Sequence, residues 1–269
     1  MLADDALVEA LTAFEDGLPV RLISTPRERM KTCHFEESIA SVFERNKVGQ
    51  FDYLPVIAAD VPSRIIGLIE LASFRVGTLP DGSVERHMKP LSEENLIGAD
   101  AGILSFVRDA DRHRLRLIVS GRDISGLVSL FDIQKLPARA ALFAVVTQLE
   151  IVMTNAIRRE FGGADGWLER LAPDRRLLIA AEMKKSQEDD SFVDSLLFTQ
   201  LADKATIIRK SPNSSFEPST FKSEFYKIQE LRNQLAHAKE YALTLQAASR
   251  VCETVRLIDE WSGRLSRWP

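Results

Sequence analysis

Cysteine is scarce in this 269-residue chain: Cys33 and Cys252 stand alone and far apart. Two isolated thiols make neither a disulfide framework nor a zinc-ligand spacing, and they favour a reducing, cytoplasmic compartment. An excess of one charge sign is also missing. Thirty-five lysines and arginines face 39 aspartates and glutamates, for a net charge of −4. No global basic field therefore argues for nucleic acid, and any such site must be a local patch. There is no glycine-rich phosphate loop, no His-Glu metal motif and no nucleophile elbow. A secretory signal is not expected, because Asp4, Asp5 and Glu9 sit where a basic start and an apolar run would be needed. The most apolar stretch, Ala138 to Ile157, contains Thr147, Gln148, Glu150 and Asn155. It reads as a buried bundle helix and not as a membrane span. What remains is 45% hydrophobic and 28% charged residues, a globular composition of a length that accommodates two domains.

The segment from about Thr25 to Leu136 repeats itself. In its first half, Glu36–Lys47 has a helical pattern, Tyr53–Ile57 and Ile65–Ile69 read as strands, and Asp60–Ser63 is a turn. In its second half, Ala99–Ala110 reads as a helix and Leu115–Val119 as a strand. Ser120–Asp123 is then a turn, and Gly126–Val128 continues into another strand. Gly67 and Gly126 hold equivalent places, 59 residues apart. Two copies of one α/β unit that bury a shared interface are expected.

Beyond Pro137 no strand is expected. Helices are predicted over Ala138–Phe161, Asp174–Ser186, Phe192–Lys210, Lys222–Tyr241 and Leu243–Leu265, with a stop at Gly162–Gly166 and a loop at Ser211–Ser219. The fold class is thus α+β multidomain: residues 1–136 form an α/β pair and residues 137–269 an all-α helical bundle.

One helix presents chemistry. Ile228, Leu231, Leu235, Ala238 and Ala242 form an apolar stripe, His237 and Asn233 lie away from it, and Arg232 falls near its edge. An imidazole, a carboxamide and a guanidinium suit phosphodiester chemistry if a second surface closes over them. The plain alternative is a solvated helix face.

The Thr25–Leu136 repeat resembles a tandem pair of CBS domains, a Bateman module. The matching features are Leu54-Pro55-Val56, Gly67-Leu68-Ile69 and Gly126-Leu127-Val128-Ser129-Leu130-Phe131-Asp132. The resemblance implies a regulatory adenine nucleotide, namely ATP, ADP, AMP or S-adenosylmethionine. Asp132 would contact ribose hydroxyls and Ser129 phosphate or ribose. Asp132 is expected to open a helix whose N-terminus favours a phosphate; local capping is the competing explanation for both residues. The first repeat has Glu70 and Ser73 at the corresponding positions. An acid at 70 repels phosphate, so at most one nucleotide site of the usual kind is expected.

The helical part resembles the HEPN superfamily, through Arg232-Asn233-Gln234-Leu235-Ala236-His237 on a late helix of the bundle. That resemblance implies a homodimer and metal-independent RNA cleavage leaving a 2′,3′-cyclic phosphate. His237 would act as general acid or base, Arg232 would hold the phosphate, and Asn233 would orient the ring or the scissile phosphate. Together the two resemblances imply a nucleotide-regulated endoribonuclease, possible as a toxin or defence effector; the alternative is a non-catalytic sensor or scaffold in which nucleotide binding controls helical-domain pairing.

Other groups have plainer expectations. Arg112, His113, Arg114, Arg116 and Arg122 form a basic hairpin flank, expected as a solvated edge. Arg170, Arg175, Arg176, Lys184 and Lys185 make a local basic supply diluted by nearby acids. Glu150 is expected in an interhelical salt bridge, and Trp261 and Trp268 are expected to pack on the bundle.

Overall fold

The computed structural model describes residue 9, residues 13–14, 17–60, 64–75, 79–162, 165–188, 194–214, 216–237 and 239–268. The chain forms two units, Leu18–Ile133 and a helical unit that runs on from Gln134. The turn expected at 60–63 falls outside the described residues apart from Asp60, as do Gly163, Ala164, Ser215 and Ala238.

In the first unit the strands are β1 (Thr25–Pro26), β2 (Cys33–His34), β3 (Tyr53–Ile57), β4 (Ile65–Glu70), β5 (Lys89–Pro90), β6 (Leu96–Gly98), β7 (Leu115–Ser120) and β8 (Asp123–Ser129). Helix α1 (Ile39–Asn46) lies between β2 and β3, and α2 (Ile103–Val107) between β6 and β7. Two four-stranded sheets result, β2-β3-β4-β5 and β6-β7-β8-β1. Each has a parallel first pair and an antiparallel remainder. The two sheets have one plan, and β5 is to the first what β1 is to the second. Both β1 and β5 are two-residue edge strands that end in proline, which tolerates an edge because it has no amide to donate. Even the irregularities match. The bulge at Val56/Ile57 recurs at Ile118/Val119, 62 residues on. The glycine offset of 59 differs from it by three residues, so the first hairpin has the longer connection.

The two repeated glycines have a physical cause. A Cβ on Gly67 would lie 2.4 Å from the Lys89 carbonyl oxygen, and one on Gly126 would lie 2.6 Å from the Thr25 carbonyl oxygen. Each glycine lets the edge strand paired beside it approach closely. The second hairpin closes tightly through Gly121, at φ +61°, a left-handed conformation in which a side chain is strained. Helix α1 is capped by Ser38, whose Oγ accepts from the Ser41 amide at 3.2 Å. Its Ile39 and Val42 pack with Leu54, Val56, Ile69 and Leu71. Ile65, Leu68, Leu115 and Leu117 join the repeats in a second core cluster.

The helical unit contains α3 (Leu136–Glu160), α4 (Pro173–Glu188), α5 (Leu201–Lys210), α6 (Pro218–Ala236) and α7 (Leu245–Ser266). Pro137 sits in the first turn of α3, where its missing amide costs nothing. The helix stops before Gly162, at φ +60°. Leu142, Val146, Leu149, Met153 and Ile157 of α3 are buried, as are Val251, Val255 and Ile258 of α7. Among the described residues α3 is the one helix long and apolar enough to cross a membrane.

Residues 192 and 193 of the helix expected over Phe192–Lys210 lie outside the described residues, and the rest is two elements. A 3-10 turn, Ser195–Phe198, precedes an extended Thr199–Gln200, and α5 starts afresh at Leu201. The break comes from Asp203, which accepts from the Gln200 amide at 2.8 Å and is gripped by Arg175. That carboxylate satisfies an amide which a continuous helix would have used. Arg175 is thereby held internally, as is Arg176, which donates to the Leu171 carbonyl at 2.9 Å. The expected ion pair of Glu150 is present, 3.1 Å from the buried Lys204. Trp261 is fully buried and donates to Glu224, and Trp268 donates to the Asn213 carbonyl. Both tryptophans are core residues.

Candidate functional site

Ser129 ends β8 and Asp132 lies in the 3-10 turn Leu130–Gln134 that follows. Asp132 thus stands in the first turn of a helix, as expected, but the helix is a short 3-10 turn, and α3 begins only at Leu136. The two residues do meet. Asp132 Oδ2 accepts from the Ser129 amide at 2.6 Å and from Ser129 Oγ at 2.8 Å. The carboxylate thus caps the turn from within, which is the local-capping geometry. In the first repeat Ser73 makes a different bond, donating to the Glu70 carbonyl at 2.7 Å.

The ends of the two hairpins frame a cavity of about 180 Å³. The last rung of the first hairpin pairs Tyr53 with Glu70, and that of the second pairs Leu115 with Ser129. Tyr53, Leu68, Glu70 and Leu115 line the cavity, together with Lys89 of β5, Glu94 and Asn95 before β6, and Arg112, His113 and Arg114 before β7. The basic flank expected as a solvated edge therefore faces a concavity over part of its length. Arg116 points elsewhere, donating to Asp109, and Arg122 is exposed in the tight turn.

Glu70 organises the first repeat's side of the cavity. Tyr53 donates to Oε1 at 2.8 Å and Lys89 to Oε2 at 3.2 Å. Burial alone would raise the Glu70 carboxyl. The hydrogen bonds from Tyr53 and Lys89, with the charges of Lys89 and Arg114, outweigh burial and hold it below the usual carboxylate range. Burial and the bond to Glu70 push the Tyr53 hydroxyl up to about 12. Glu70 was visible in the sequence as an acid at a phosphate-type position. Tyr53 and Lys89 carried no motif. The available signal was the match of Lys89-Pro90 to Thr25-Pro26, each near one face of a repeat.

The other candidate set lies at the end of α6. Phe221, Ile228, Leu231 and Leu235 form its buried stripe. The helix ends at Ala236, earlier than the expected Tyr241, so His237 occupies its C-cap. His237 donates its backbone amide to the Asn233 carbonyl at 3.1 Å. Arg232, Asn233 and His237 are all exposed. The Arg232 guanidinium donates to Asn233 Oδ1 at 3.4 Å, and no described carboxylate pairs with it. The chain after His237 is pinned from the start of α3. Arg139 donates to the carbonyls of Gln234, Leu235 and Lys239 at 3.3, 3.1 and 2.6 Å. Its guanidinium lies 4.9 Å from the Tyr241 ring centre. Gln134 Oε1 accepts the amides of Tyr241 and Ala242 at 3.1 and 2.9 Å. The Arg139 bonds add a side-chain donor to carbonyls at the helix end, and the Gln134 bonds take up amides of the segment that follows. The structure therefore places Arg232, Asn233 and His237 at one exposed helix end, with Arg139 and Gln134 bonded to the backbone beside it. Among the described residues no group of three or more His, Cys, Asp or Glu is placed to hold a metal ion.

No protein-family profile matches the chain, and no curated protein matches it. Solved structures do. The CBS domain of a bacterial CNNM/CorC family Mg2+ transporter in complex with ATP is 18% identical, with a TM-score of 0.39 over 49% of this chain and 94% of that one. CBSX2 in complex with AMP is 16% identical, with a TM-score of 0.38 over 46% and 97%. The CBS domains of a transcriptional regulator from Streptococcus pneumoniae are 14% identical, with a TM-score of 0.36 over 43% and 96%.

Proposed function

We propose that Leu18–Ile133 is a CBS-type sensor that binds one adenine nucleotide, and that the helical unit carries the response. The carrying observation is the cavity at the two hairpin ends. It gathers Lys89, Arg112, His113 and Arg114 with Glu70 and Glu94 at the strand end where Leu115 pairs with Ser129; Ser129 and Asp132 themselves do not line it. Charge-assisted donors of this kind hold phosphate oxygens. Apolar Leu68 and Leu115 offer a surface for a flat ring, and concave sites of mixed lining are typical of small-ligand binding. In this reading Asp132 exchanges its bonds to Ser129 for ribose hydroxyls, and the Ser129 hydroxyl becomes free for the ligand. ATP, ADP, AMP and S-adenosylmethionine are the ligands to try. Thermal unfolding of the full chain tests the proposal. A ligand at 100 times its dissociation constant adds about 2.7 kcal/mol, and Asp132→Ala should abolish the shift. Unchanged melting with all four compounds contradicts the sensor.

A second reading rests on the exposed trio Arg232, Asn233 and His237 and on the absence of a described acid partner for Arg232. Paired across a homodimer, two such helix ends make a HEPN-type ribonuclease site, with His237 as general acid or base and Arg232 on the phosphate. RNA incubated with the protein in EDTA tests it. Cleavage that leaves 2′,3′-cyclic phosphate ends and disappears in His237→Ala supports the enzyme. Identical product patterns for wild type and variant leave the sensor alone.

A further inference from the structure

The sensor reading leaves open which charge class of ligand the cavity takes, and Glu70 bears on that choice. Three fixed cations, Lys89, Arg112 and Arg114, line the cavity against two carboxylates, Glu70 and Glu94. These fixed charges of the lining sum to one net positive charge. Glu70 is no bystander in that balance. Its two oxygens take up the Tyr53 hydroxyl and the Lys89 ammonium, so the cavity's own anion already occupies one of the three cations. The carboxylate side chain is about 28% exposed, which leaves it in electrostatic reach of a ligand.

The corresponding rung of the second repeat shows what is unusual here. Ser129 stands where Glu70 does, Leu115 where Tyr53 does, and Thr25 of β1 where Lys89 of β5 does. The second repeat is uncharged at all three positions. The first carries a hydrogen-bonded Tyr–Glu–Lys network. Backbone packing does not demand that network, because the second sheet has the same plan without it.

We propose that Glu70 is a specificity-determining residue that tunes this cavity toward ligands with few negative charges, a monophosphate end in preference to a triphosphate. The inference rests on the sensor reading and adds a selectivity to it. Each further negative charge on a ligand meets the fixed charge of Glu70, and unit charges a few ångströms apart in a wet site interact by enough to change affinity severalfold. A triphosphate bears more of that repulsion than a monophosphate and gains less from Lys89, which Glu70 already holds.

Glu70→Gln keeps an acceptor for Tyr53 and removes the charge. Titration calorimetry of the full chain with AMP and ATP, and with inorganic phosphate and tripolyphosphate, measures its effect. Wild type should bind AMP at least as tightly as ATP. Glu70→Gln should improve ATP over AMP by about tenfold, and tripolyphosphate over phosphate in the same sense. Lys89→Met should move the preference the opposite way. Equal changes for AMP and ATP in Glu70→Gln, or tighter ATP than AMP in wild type, overturn the role of Glu70 while leaving a sensor. Absence of binding by every compound to wild type and both variants removes the sensor reading itself. A melting temperature for Glu70→Gln close to wild type shows that any change comes from charge and not from misfolding.

Discussion

The two repeats of Leu18–Ile133 share a frame and differ in chemistry. Strand order, the bulge after the fourth residue of the hairpin's first strand and the glycine paired beside the edge strand are the same in both. The rung that closes each hairpin is not: Tyr53 and Glu70 in one, Leu115 and Ser129 in the other. Frame positions answer to backbone geometry, where a single methyl group collides with a carbonyl. Of the rung-end residues Tyr53, Glu70 and Leu115 face a cavity, a setting that tolerates exchange, so that is where one repeat can diverge from its twin. The asymmetry makes the pair a candidate for one ligand instead of two.

The frame should break first. Gly67→Ala and Gly126→Ala each force a Cβ onto an edge-strand carbonyl. Each should cost about 2–4 kcal/mol in urea unfolding, with Gly67 the more severe because its contact is shorter. Equal, near-zero costs would mean that the edge strands move aside freely. The next effect separates the rung ends. Asp132→Ala removes the acceptor of two Ser129 bonds and should cost about 1 kcal/mol, whereas Ser73→Ala, on an exposed side chain bonded only to its own turn, should cost less than half of that.

Acid pH sharpens the same comparison. The Glu70 carboxyl is held below its unfolded value, so its stabilisation is fully present above the unfolded-state value of about 4.3. It is lost as pH falls through the folded value. Glu70→Gln should therefore flatten the acid limb of stability against pH, and substitution of Ser129, which has no charge there, should not. The smallest effect concerns Cys33. Its equivalent in the second repeat is Ile97, on the same register of a parallel pair. Burial, then the charge of Glu37, pushes the Cys33 thiol up to about 12. It should resist alkylation in the native protein at pH 8, and Cys33→Val should change stability by less than about 1.5 kcal/mol.

Much of this was legible in the residues. The hairpin strands announced themselves through apolar runs at Tyr53–Ile57, Ile65–Ile69 and Leu115–Val119, and Gly67 and Gly126 marked the repeat. The two- and three-residue strands β1, β2, β5 and β6 were not legible, because such short segments have no periodicity and exist only through their partners. The exchange of β1 and β5 between neighbouring repeats is likewise a tertiary event. In the helical unit the break at Thr199–Gln200 was hidden because Asp203 reads as an ordinary helical residue until Arg175 and the Gln200 amide converge on it. His237 fell beyond its helix because Arg139 and Gln134, about a hundred residues earlier, end α6 and hold the next segment. Spacing alone picks out Ser129 and Asp132, which do not line the cavity, and marks Glu70, which does, as the odd residue. Lys89 was not legible, since only the fold brings β5 to that rung.

Calorimetric titration of AMP into the full chain, beside an Arg112→Ala/Arg114→Ala double variant, shows whether the cavity's arginines hold a nucleotide. Saturable binding with one nucleotide per chain is expected, weakened at least tenfold in the double variant, whose substituted arginines are solvent-exposed. Two equal sites per chain, or identical isotherms for wild type and variant, would contradict it.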